Sequence, residues 1–281
     1  MNLPDFSNMT AIQVVVTLAD RGVYIASEST FYRVLKEAKQ NSHRGKSKKP
    51  NKIALPETFA ATGPNQVWTW DITWMDTSVK GKYYKLYTII DIFSRKIVGW
   101  EIWEEENGEL AAELMERTVL KENILNKPLV LHSDNGAPMK SFTFKAKLEE
   151  LGVKSSYSRP RVSNDNPYSE AHFKTMKYRY NYPLDGFNAL DDARIWVLEF
   201  VTWYNQVHYH SGINYLTPES LHNGTAHEIM EKRIAVYESN QKLNPLRFNT
   251  GIRNWEVPTI VYLNPEKASK NTAYIQATQA M

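Results

Sequence analysis

Three acidic residues, Asp71, Asp134 and Glu170, have the type and placement that divalent-metal chemistry requires. The apolar pattern places Asp71 inside a strand, Asp134 just past the end of another strand, and Glu170 in the first turns of a helix. Mg²⁺ prefers hard oxygen ligands and keeps several waters, so a few carboxylates suffice to bind it. Two such ions, about 3.5–4 Å apart, activate an attacking water or hydroxyl and stabilise the leaving oxygen of a phosphodiester.

Each of these carboxylates also has an ordinary structural interpretation, and the residues alone leave both open. Asp71 fits a hydrogen-bonded strand residue, and Asp134 fits an Asx-turn. Glu170 fits the positive end of its helix. Other carboxylates compete for the metal-binding role: Asp76, Asp91 and Asp165. Asp71 is preferred over these because its strand is predicted to be central.

Hydrophobic periodicity predicts the elements that position the carboxylates. Between Trp68 and Trp74 apolar residues alternate with Thr69, Asp71 and Thr73, as in a strand, which directs Asp71 away from the tryptophan face. Four further strands are predicted, over 83–90, 96–103, 128–133 and 153–158. Because hairpin-connected strands precede strands that alternate with helices, the pattern predicts an α/β fold, a mixed five-stranded sheet flanked by helices.

The predicted helix that carries Glu170 begins at Asn166-Pro167, with Asn at the cap and Pro in the first turn. At about 100° per residue two stripes lie side by side, an apolar one of Phe173, Met176 and Tyr180 and a polar one of Glu170, Lys174 and Lys177. Lysines in line with a metal-binding carboxylate suit a phosphate backbone entering the site. The predicted DNA contacts here are Lys174 and Lys177, with Arg159 and Arg161 in the preceding loop.

The N-terminal 52 residues combine helical periodicity with a basic run. Two short helices separated by a turn at Arg21-Gly22 are compatible with a helix-turn-helix DNA reader, although two short helices more often serve plain packing. Glu37 is the single acid between Arg33 and Lys52, so the run suits phosphate contact, with a solvated linker as the alternative. The predicted phosphate contacts in it are Arg33, Lys46, Lys48 and Lys49.

Length and composition bound the remaining possibilities. The 281 residues suggest about two domains, and the formal net charge is +3. The lack of cysteine excludes disulfides, cysteine nucleophiles and thiolate zinc sites. No signal peptide is visible and the apolar stretch 11–19 is too short to span a bilayer, so a cytoplasmic protein with no membrane partner is expected. The predicted domains are a helix-turn-helix-like segment (1–42), a basic linker (43–65), a catalytic core (66–225) and a tail (226–281).

Five segments resemble the integrase core of bacterial insertion-sequence transposases. They are 68–73 (WTWDIT), 91–100 (DIFSRKIVGW), 131–136 (LHSDNG), 164–170 (NDNPYSE) and 203–205 (WYN). Thirty-five residues lie between Asp134 and Glu170, a spacing typical of this group and of retroviral integrases. The resemblance covers about residues 60–225. Residues 25–35 (IASESTFYRVL) further resemble the helix-turn-helix segment that begins OrfB in transposases made by fusion of OrfA and OrfB.

This resemblance implies a ribonuclease H-like fold, two Mg²⁺ or Mn²⁺ ions, and a catalytic, metal-binding triad of Asp71, Asp134 and Glu170, with Asp71 bridging both ions. It implies that water cuts at the element's end and that the freed 3′ hydroxyl attacks another phosphodiester. The implied partners are double-stranded DNA of the element ends and target, further copies of the chain in a synaptic complex, and an OrfA protein or fusion. The implied place is the bacterial nucleoid. Two alternatives stay open, a nuclease that only hydrolyses DNA and a DNA-binding regulator with an inactive core.

Overall fold

The computed structural model describes residues 6, 9–40, 57–159, 165–248 and 250–265. It divides the chain into two compact units, Met1–Ile53 and Ala54–Met281. The first unit contains helices α1 (Ala11–Asp20) and α2 (Glu28–Glu37), as the sequence predicts. Thr10 and Gln13 cap the start of α1 reciprocally, each side chain accepting a hydrogen bond from the other's backbone N–H. Arg33 lies exposed on α2.

The second unit is built on a mixed five-stranded sheet. Its strands are β2 (Val67–Asp76), β3 (Tyr83–Asp91), β4 (Ile97–Trp103), β5 (Leu129–Ser133) and β6 (Val153–Tyr157), in the order β4-β3-β2-β5-β6. β2, β3 and β4 pair antiparallel, whereas β5 and β6 run parallel to β2. The predicted ribonuclease H-like, mixed five-stranded sheet flanked by helices is therefore confirmed.

In the described part of the second unit, seven α-helices flank this sheet or follow it in the chain. They are α3 (Gly108–Lys121), α4 (Ala137–Lys140), α5 (Phe142–Glu150), α6 (Pro167–Lys177), α7 (Leu190–Gln206), α8 (Pro218–His222) and α9 (Ala226–Leu243). Within the described ranges, no helix combines the length and the apolar character that crossing a membrane requires.

The two faces of the sheet carry separate apolar cores, and β2 contributes to both. Trp68 and Trp70 are buried among residues of α3 and α5, and Ile72 packs against the same cluster. Met75, from the alternate positions of β2, is buried with residues of α6 and α7. The predicted alternation is thus present, and Asp71 belongs to the face that α6 covers.

The C-terminal end of α6 differs from the prediction. We expect Tyr180 on the apolar stripe, but α6 ends at Lys177 and Tyr180 is 93% exposed. The reason is a tight turn, in which the Arg179 N–H donates to the carbonyl of Met176 rather than to the one four residues back. Phe173 and Met176 are buried as predicted.

A third core joins segments from both ends of the second unit. Strand β1 (Phe59–Ala61) pairs antiparallel with β7 (Val261–Leu263) in a separate two-stranded sheet. Their apolar residues are buried with Val67 of β2 and with Met230 of α9. The segments predicted as linker and tail thus each supply a strand to this core. Their status as separate domains stays a prediction.

A buried amide ties α7 to the sheet. The side chain of Asn205 accepts a hydrogen bond from the Ile97 N–H at 2.9 Å and donates one to the Ile97 carbonyl at 3.0 Å. Asn205 is 7% exposed, so water cannot readily replace either bond. The β3–β4 register shifts at this point, between Ile89 and Ile90. Asn205 therefore provides hydrogen-bond partners for the backbone at the start of β4, where the pairing of β3 with β4 is irregular.

We expect Asn205→Ala to destabilise the protein by about 2–3 kcal/mol, because two buried backbone groups lose their partners. In a thermal melt followed by circular dichroism this corresponds to a fall in Tm of about 4–10 °C. The matched control is Asn240→Ala, since the Asn240 side chain makes an exposed bond within α9. Equal effects of the two substitutions would contradict the role given to Asn205.

Candidate active site

The register between β2 and β5 brings the first two carboxylates together. The last pair of these parallel strands is Trp70 with Ser133. Asp71, the next residue of β2, and Asp134, the residue that follows β5, therefore lie at the same end of this pairing. Adjacent parallel strands lie about 4.8 Å apart. The two carboxylates, 63 residues apart in the chain, therefore occupy neighbouring positions.

The Asp71 carboxyl is half-buried and surrounded by negative charge. Its Oδ1 accepts one hydrogen bond, from the Ile72 N–H at 2.8 Å. Burial and, after it, the charge of Asp134 raise its pKa to about 7, with further contributions from Glu170 and Glu106 and opposition from the Ile72 bond. Among the residues that the structure describes, no cationic side chain contributes to this pKa shift. Asp71 thus lies where an added cation would be strongly stabilised.

Asp134 is oriented from β6. Its Oδ1 accepts a hydrogen bond from the Ser158 hydroxyl at 2.8 Å. Ser158 Oγ lies 3.2 Å from Nε2 of the buried His132, whose Nδ1 is 3.0 Å from Ser156 Oγ. Because the Ser158 hydrogen is donated to Asp134, this arrangement requires His132 Nε2 to carry the proton. Burial lowers the pKa of His132. His132 therefore acts as a neutral structural support.

Glu170 is positioned by the anchoring of α6 on β2. The Asn166 side chain donates to the Trp70 carbonyl at 3.3 Å, and the Ser169 hydroxyl contacts Thr69 Oγ1 at 3.4 Å. We expect Asn166 to cap α6, but its side chain makes no capping bond and binds the strand instead. Glu170 follows Ser169 directly, and its side chain is largely exposed. Partial desolvation of its carboxyl group and, after it, the charge of Asp134 raise its pKa. The hydrogen bond from Asn166 thus attaches the start of α6 to Trp70, the residue before Asp71.

The three carboxylates act on each other electrostatically, but they do not form a cage. Among the residues that the structure describes, no three carboxylate or imidazole side chains are close enough to hold a metal ion. Asp71 and Asp134 each direct one oxygen at a donor of the protein. Like charges near one another disfavour the ionised forms, so a cation bound between these carboxylates would be stabilised. Carboxylate oxygens are the donors that Mg²⁺ and Mn²⁺ prefer, so these three residues fit such an ion by their chemistry.

The competing carboxylates have structural partners or lie apart. Asp165 is buried and accepts from the Arg159 guanidinium at 2.9 and 3.0 Å, which is the first cause of its lowered pKa. Asp91 is buried and accepts from the N–H groups of Asn65 and Ser94, both at 2.7 Å. Asp76 is exposed at the end of β2. Asp71 differs from these three residues because the charges of other carboxylates, chiefly that of Asp134, raise its pKa.

A second polar cluster resembles a nucleophile triad without being accessible. Ser94 Oγ is 2.9 Å from His222 Nδ1, and His222 Nε2 is 2.8 Å from Glu122. Ser94 is fully buried, however, and its hydroxyl donates to Asp91 at 2.7 Å. Burial alone would raise the pKa of Glu122, but the bond to His222 and the charge of Lys96 lower it to about 2. The cluster therefore ties α8 and the end of α3 to the β3–β4 turn.

The predicted DNA contacts have different positions in the structure. Lys174 and Lys177 are exposed on α6, in line with Glu170. Arg159 is engaged with Asp165, so its guanidinium has a structural partner. The remaining basic residues of this prediction lie outside the described residues: Arg161, Lys46, Lys48 and Lys49.

Two residues near the site are absent from the sequence-based prediction. Ser158 follows β6 directly, and its place at the end of a strand parallel to β5 is a signal that could have indicated it. Glu106 lies after β4, where its charge raises the pKa of Asp71 and its side chain accepts from Trp74 Nε1 at 2.5 Å. No local pattern in the sequence distinguishes Glu106 from its acidic neighbours.

Comparisons with known proteins show which family the chain resembles. Two models of the integrase core domain match residues 61–163 and 151–218. The transposase for insertion sequence element IS904 of Lactococcus lactis is 33% identical over 172 residues, which cover 61% of this chain and 66% of that protein. The putative transposase InsK for element IS150 of Escherichia coli is 29% identical over 191 residues, covering 68% and 66%. The chain thus spans about two thirds of the length of these relatives.

Solved structures with a related fold have lower identity. An integrase assembly, the simian T-cell lymphotropic virus intasome in complex with PP2A regulatory subunit B56 gamma, contains a chain 17% identical, with a TM-score of 0.47 and coverage of 74% of this chain and 70% of that one. The HTLV-2 integrase catalytic core domain in complex with magnesium is 22% identical, with a TM-score of 0.40 and coverage of 57% and 96%.

We expect Asp71→Asn to stabilise the protein in EDTA at pH 8. The folded-state pKa of about 7 lies above the ordinary 3.8, so ionisation of Asp71 opposes folding. That cost grows from about pH 4 to pH 7 and is constant above. Thermal melts at pH 8 should show a gain on the order of 1–3 kcal/mol, with a gap that shrinks at each lower pH.

The control is Asp76→Asn, an exposed aspartate of the same strand, which should leave Tm unchanged at every pH. An Asp71→Asn variant no more stable than the unchanged chain at pH 8 would show that Asp71 is not held among like charges.

Proposed function

The chain belongs to the insertion-sequence transposases that contain an integrase core domain, and from this membership we propose that it cuts and joins DNA strands in a divalent-metal-dependent reaction. The observation that supports this most is that Asp134 and Glu170 lie near enough to Asp71 for their charges to raise its pKa. Burial and like charge raise the pKa of Asp71 and Glu170, and within the described part of the chain no cationic side chain offsets these shifts. A site of this kind is suited to cation binding.

Asp71, Asp134 and Glu170 would hold the Mg²⁺ or Mn²⁺ ions, two per site. When bound, these ions activate the attacking oxygen and stabilise the leaving oxygen. In the first step a P–O bond at the element's end is hydrolysed, which frees a 3′ hydroxyl. In the second step that hydroxyl attacks another phosphodiester, and one P–O bond forms as another breaks. The enzyme forms no covalent bond to the DNA in either step.

The protein's own contribution is to hold the three carboxylates in place. Ser158 orients Asp134 through a 2.8 Å hydrogen bond. Asn166 fixes the start of α6, and with it Glu170, to the backbone of β2. Asp71 lies on a strand with neighbours on both sides. Carboxylates held on packed strands and an anchored helix lose little entropy when a cation and a phosphate arrive.

Lys174 and Lys177 are proposed to bind the DNA backbone beside the site. With a rise of 1.5 Å per residue they lie about 6 and 10.5 Å along α6 from Glu170. Both are exposed, and their side chains lie on the same side of the helix as Glu170. This spacing suits successive phosphates of a strand whose cleaved bond is at the carboxylates. Arg33, exposed on α2, is a further proposed contact.

The proposed partners and organisation follow from the same membership. The chain would bind double-stranded DNA of the element ends and the target, in a complex with further copies of itself, and would act with an OrfA protein or as a fusion to one. It would work in the bacterial cytoplasm at the nucleoid. Residues 1–42 would be the helix-turn-helix-like reader, 43–65 the basic linker, 66–225 the catalytic core and 226–281 the tail.

We expect Asp134→Asn and Glu170→Gln each to lower DNA cleavage and strand joining by 10³-fold or more. Labelled duplexes that carry the element's ends, incubated with Mg²⁺ and resolved on denaturing gels, measure both products. Binding measured in EDTA should persist in both variants, since the carboxylates do not attract DNA. The control Asp76→Asn should remain active.

Nicked products without joined strands from the unchanged chain would favour a nuclease that only hydrolyses. DNA binding without any cleavage would favour a regulator with an inactive core.

We expect Lys174→Ala and Lys177→Ala each to weaken DNA binding in EDTA and to reduce the salt dependence. The slope of log K against log[salt] should become shallower by about 0.9 for each phosphate that the variant no longer neutralises. Fluorescence anisotropy between about 50 and 200 mM salt measures it. The control is Lys232→Ala on α9, which should leave the slope unchanged. An unchanged slope in the α6 variants would contradict backbone contact.

A further inference from the structure

Two tyrosines just beyond α6 are almost fully exposed. Tyr178 is 82% exposed and Tyr180 is 93% exposed. We call them the tyrosine pair. Tyrosine carries a large apolar ring that proteins usually bury at least in part. Two such rings, separated by one residue and both in solvent, form an unpartnered aromatic surface.

The turn that carries the tyrosine pair is anchored from beneath. Arg179, between the two tyrosines, lies 3.8 Å over the Trp203 ring and donates to Asn181 Oδ1 at 2.9 Å. The Asn181 carbonyl accepts from Trp196 Nε1 at 3.0 Å, and the Tyr182 ring packs edge-on against the same tryptophan. The residues at 179 and 182 therefore face the core, and the rings at 178 and 180 are held outward on a pinned backbone. A ligand binding there would lose little backbone entropy on association.

The position of the pair is set by α6. Tyr178 directly follows Lys177 and lies about 12 Å along the helix from Glu170. At about 3.4 Å per nucleotide, this distance spans three to four nucleotides of a DNA strand. Lys174 and Lys177 are exposed between Glu170 and the pair. A strand whose phosphates follow the two lysines would bring its bases to the tyrosines.

We propose that the tyrosine pair stacks on unpaired DNA bases about three to five nucleotides from the phosphate that reacts. The inference rests on the proposed function, because it takes the strand's position from the carboxylates. Aromatic side chains bind bases through their faces without sequence preference. Inside a duplex those faces are covered by neighbouring bases, so the surface selects a strand that has opened. The basic residues beside the pair suit an anionic strand better than an apolar protein surface.

The test compares two fluorescein-labelled DNAs of the same sequence by anisotropy, in EDTA at constant salt. One is a blunt duplex, and the other is forked, with about six unpaired nucleotides per strand at one end. The double variant Tyr178→Ala/Tyr180→Ala should bind the forked DNA at least tenfold more weakly and the blunt duplex less than threefold more weakly. The double variant Tyr178→Phe/Tyr180→Phe keeps the rings and should bind both within twofold of the unchanged chain.

The control is Leu184→Ala, because Leu184 is apolar, non-aromatic and 94% exposed six residues beyond Tyr178. It should bind both DNAs normally. In a second assay, the forked DNA carries the fluorescent base 2-aminopurine four nucleotides from the fork end. Binding of the unchanged chain or the phenylalanine variant should quench its fluorescence by stacking, and binding of the alanine variant should not.

Equal losses on the two DNAs, no loss in the alanine variant, or a matching loss in Leu184→Ala would each overturn the proposal and leave the proposed function intact. Binding of neither DNA by the unchanged chain would contradict the proposed function itself. Because the two rings are exposed, all variants should melt at the Tm of the unchanged chain, and a lower Tm in the alanine variant would also count against a purely surface role.

Discussion

The parallel pairing of β2 with β5 is the constraint on which the candidate site depends. Its last pair, Trp70 with Ser133, places Asp71 and Asp134 at neighbouring positions of one sheet edge. The arrangement opposes folding, because burial and like charge raise the pKa of Asp71 to about 7. The burial of Trp68 and Trp70 on the opposite face supplies free energy against that cost. The free energy gained by burying the apolar core therefore offsets the free-energy cost of ionising Asp71 in the folded protein.

The other polar groups of the site hold the carboxylate-bearing segments in place through hydrogen bonds and do not neutralise their charge. Ser158 holds Asp134, and Asn166 holds the start of α6, both through neutral hydrogen bonds. Arg159, the cation closest in sequence to Ser158, is used instead on Asp165. Neutral donors position the carboxylates without cancelling their charge, so the site keeps its attraction for a cation.

The same separation of roles continues along α6. Phe173 and Met176 dock the helix on the sheet, while Glu170, Lys174 and Lys177 lie on the exposed side. Along this exposed side of α6 the charge changes from negative at Glu170 to positive at Lys174 and Lys177. This order of charges suits the proposed DNA strand, whose phosphates would lie along the two lysines while the acidic end would hold the proposed cations. With a formal net charge of +3, such local placement matters more than the charge of the whole chain.

The sequence by itself determined what depends on near neighbours and on ordered motifs. The alternation in β2 and the five-stranded α/β fold follow from periods of two and 3.6 residues. The resemblance to the integrase core family follows from the segments around Asp71, Asp134 and Glu170. Only the tertiary structure decided the contacts between distant residues: the pairing of β1 with β7, the Ser158–Asp134 bond and the engagement of Arg159 by Asp165. It also ended α6 at Lys177, where a tight turn leaves Tyr180 in solvent. The physical reason is that periodicity reports which face of an element is apolar, whereas a hydrogen bond across the fold depends on where the whole chain places its donor.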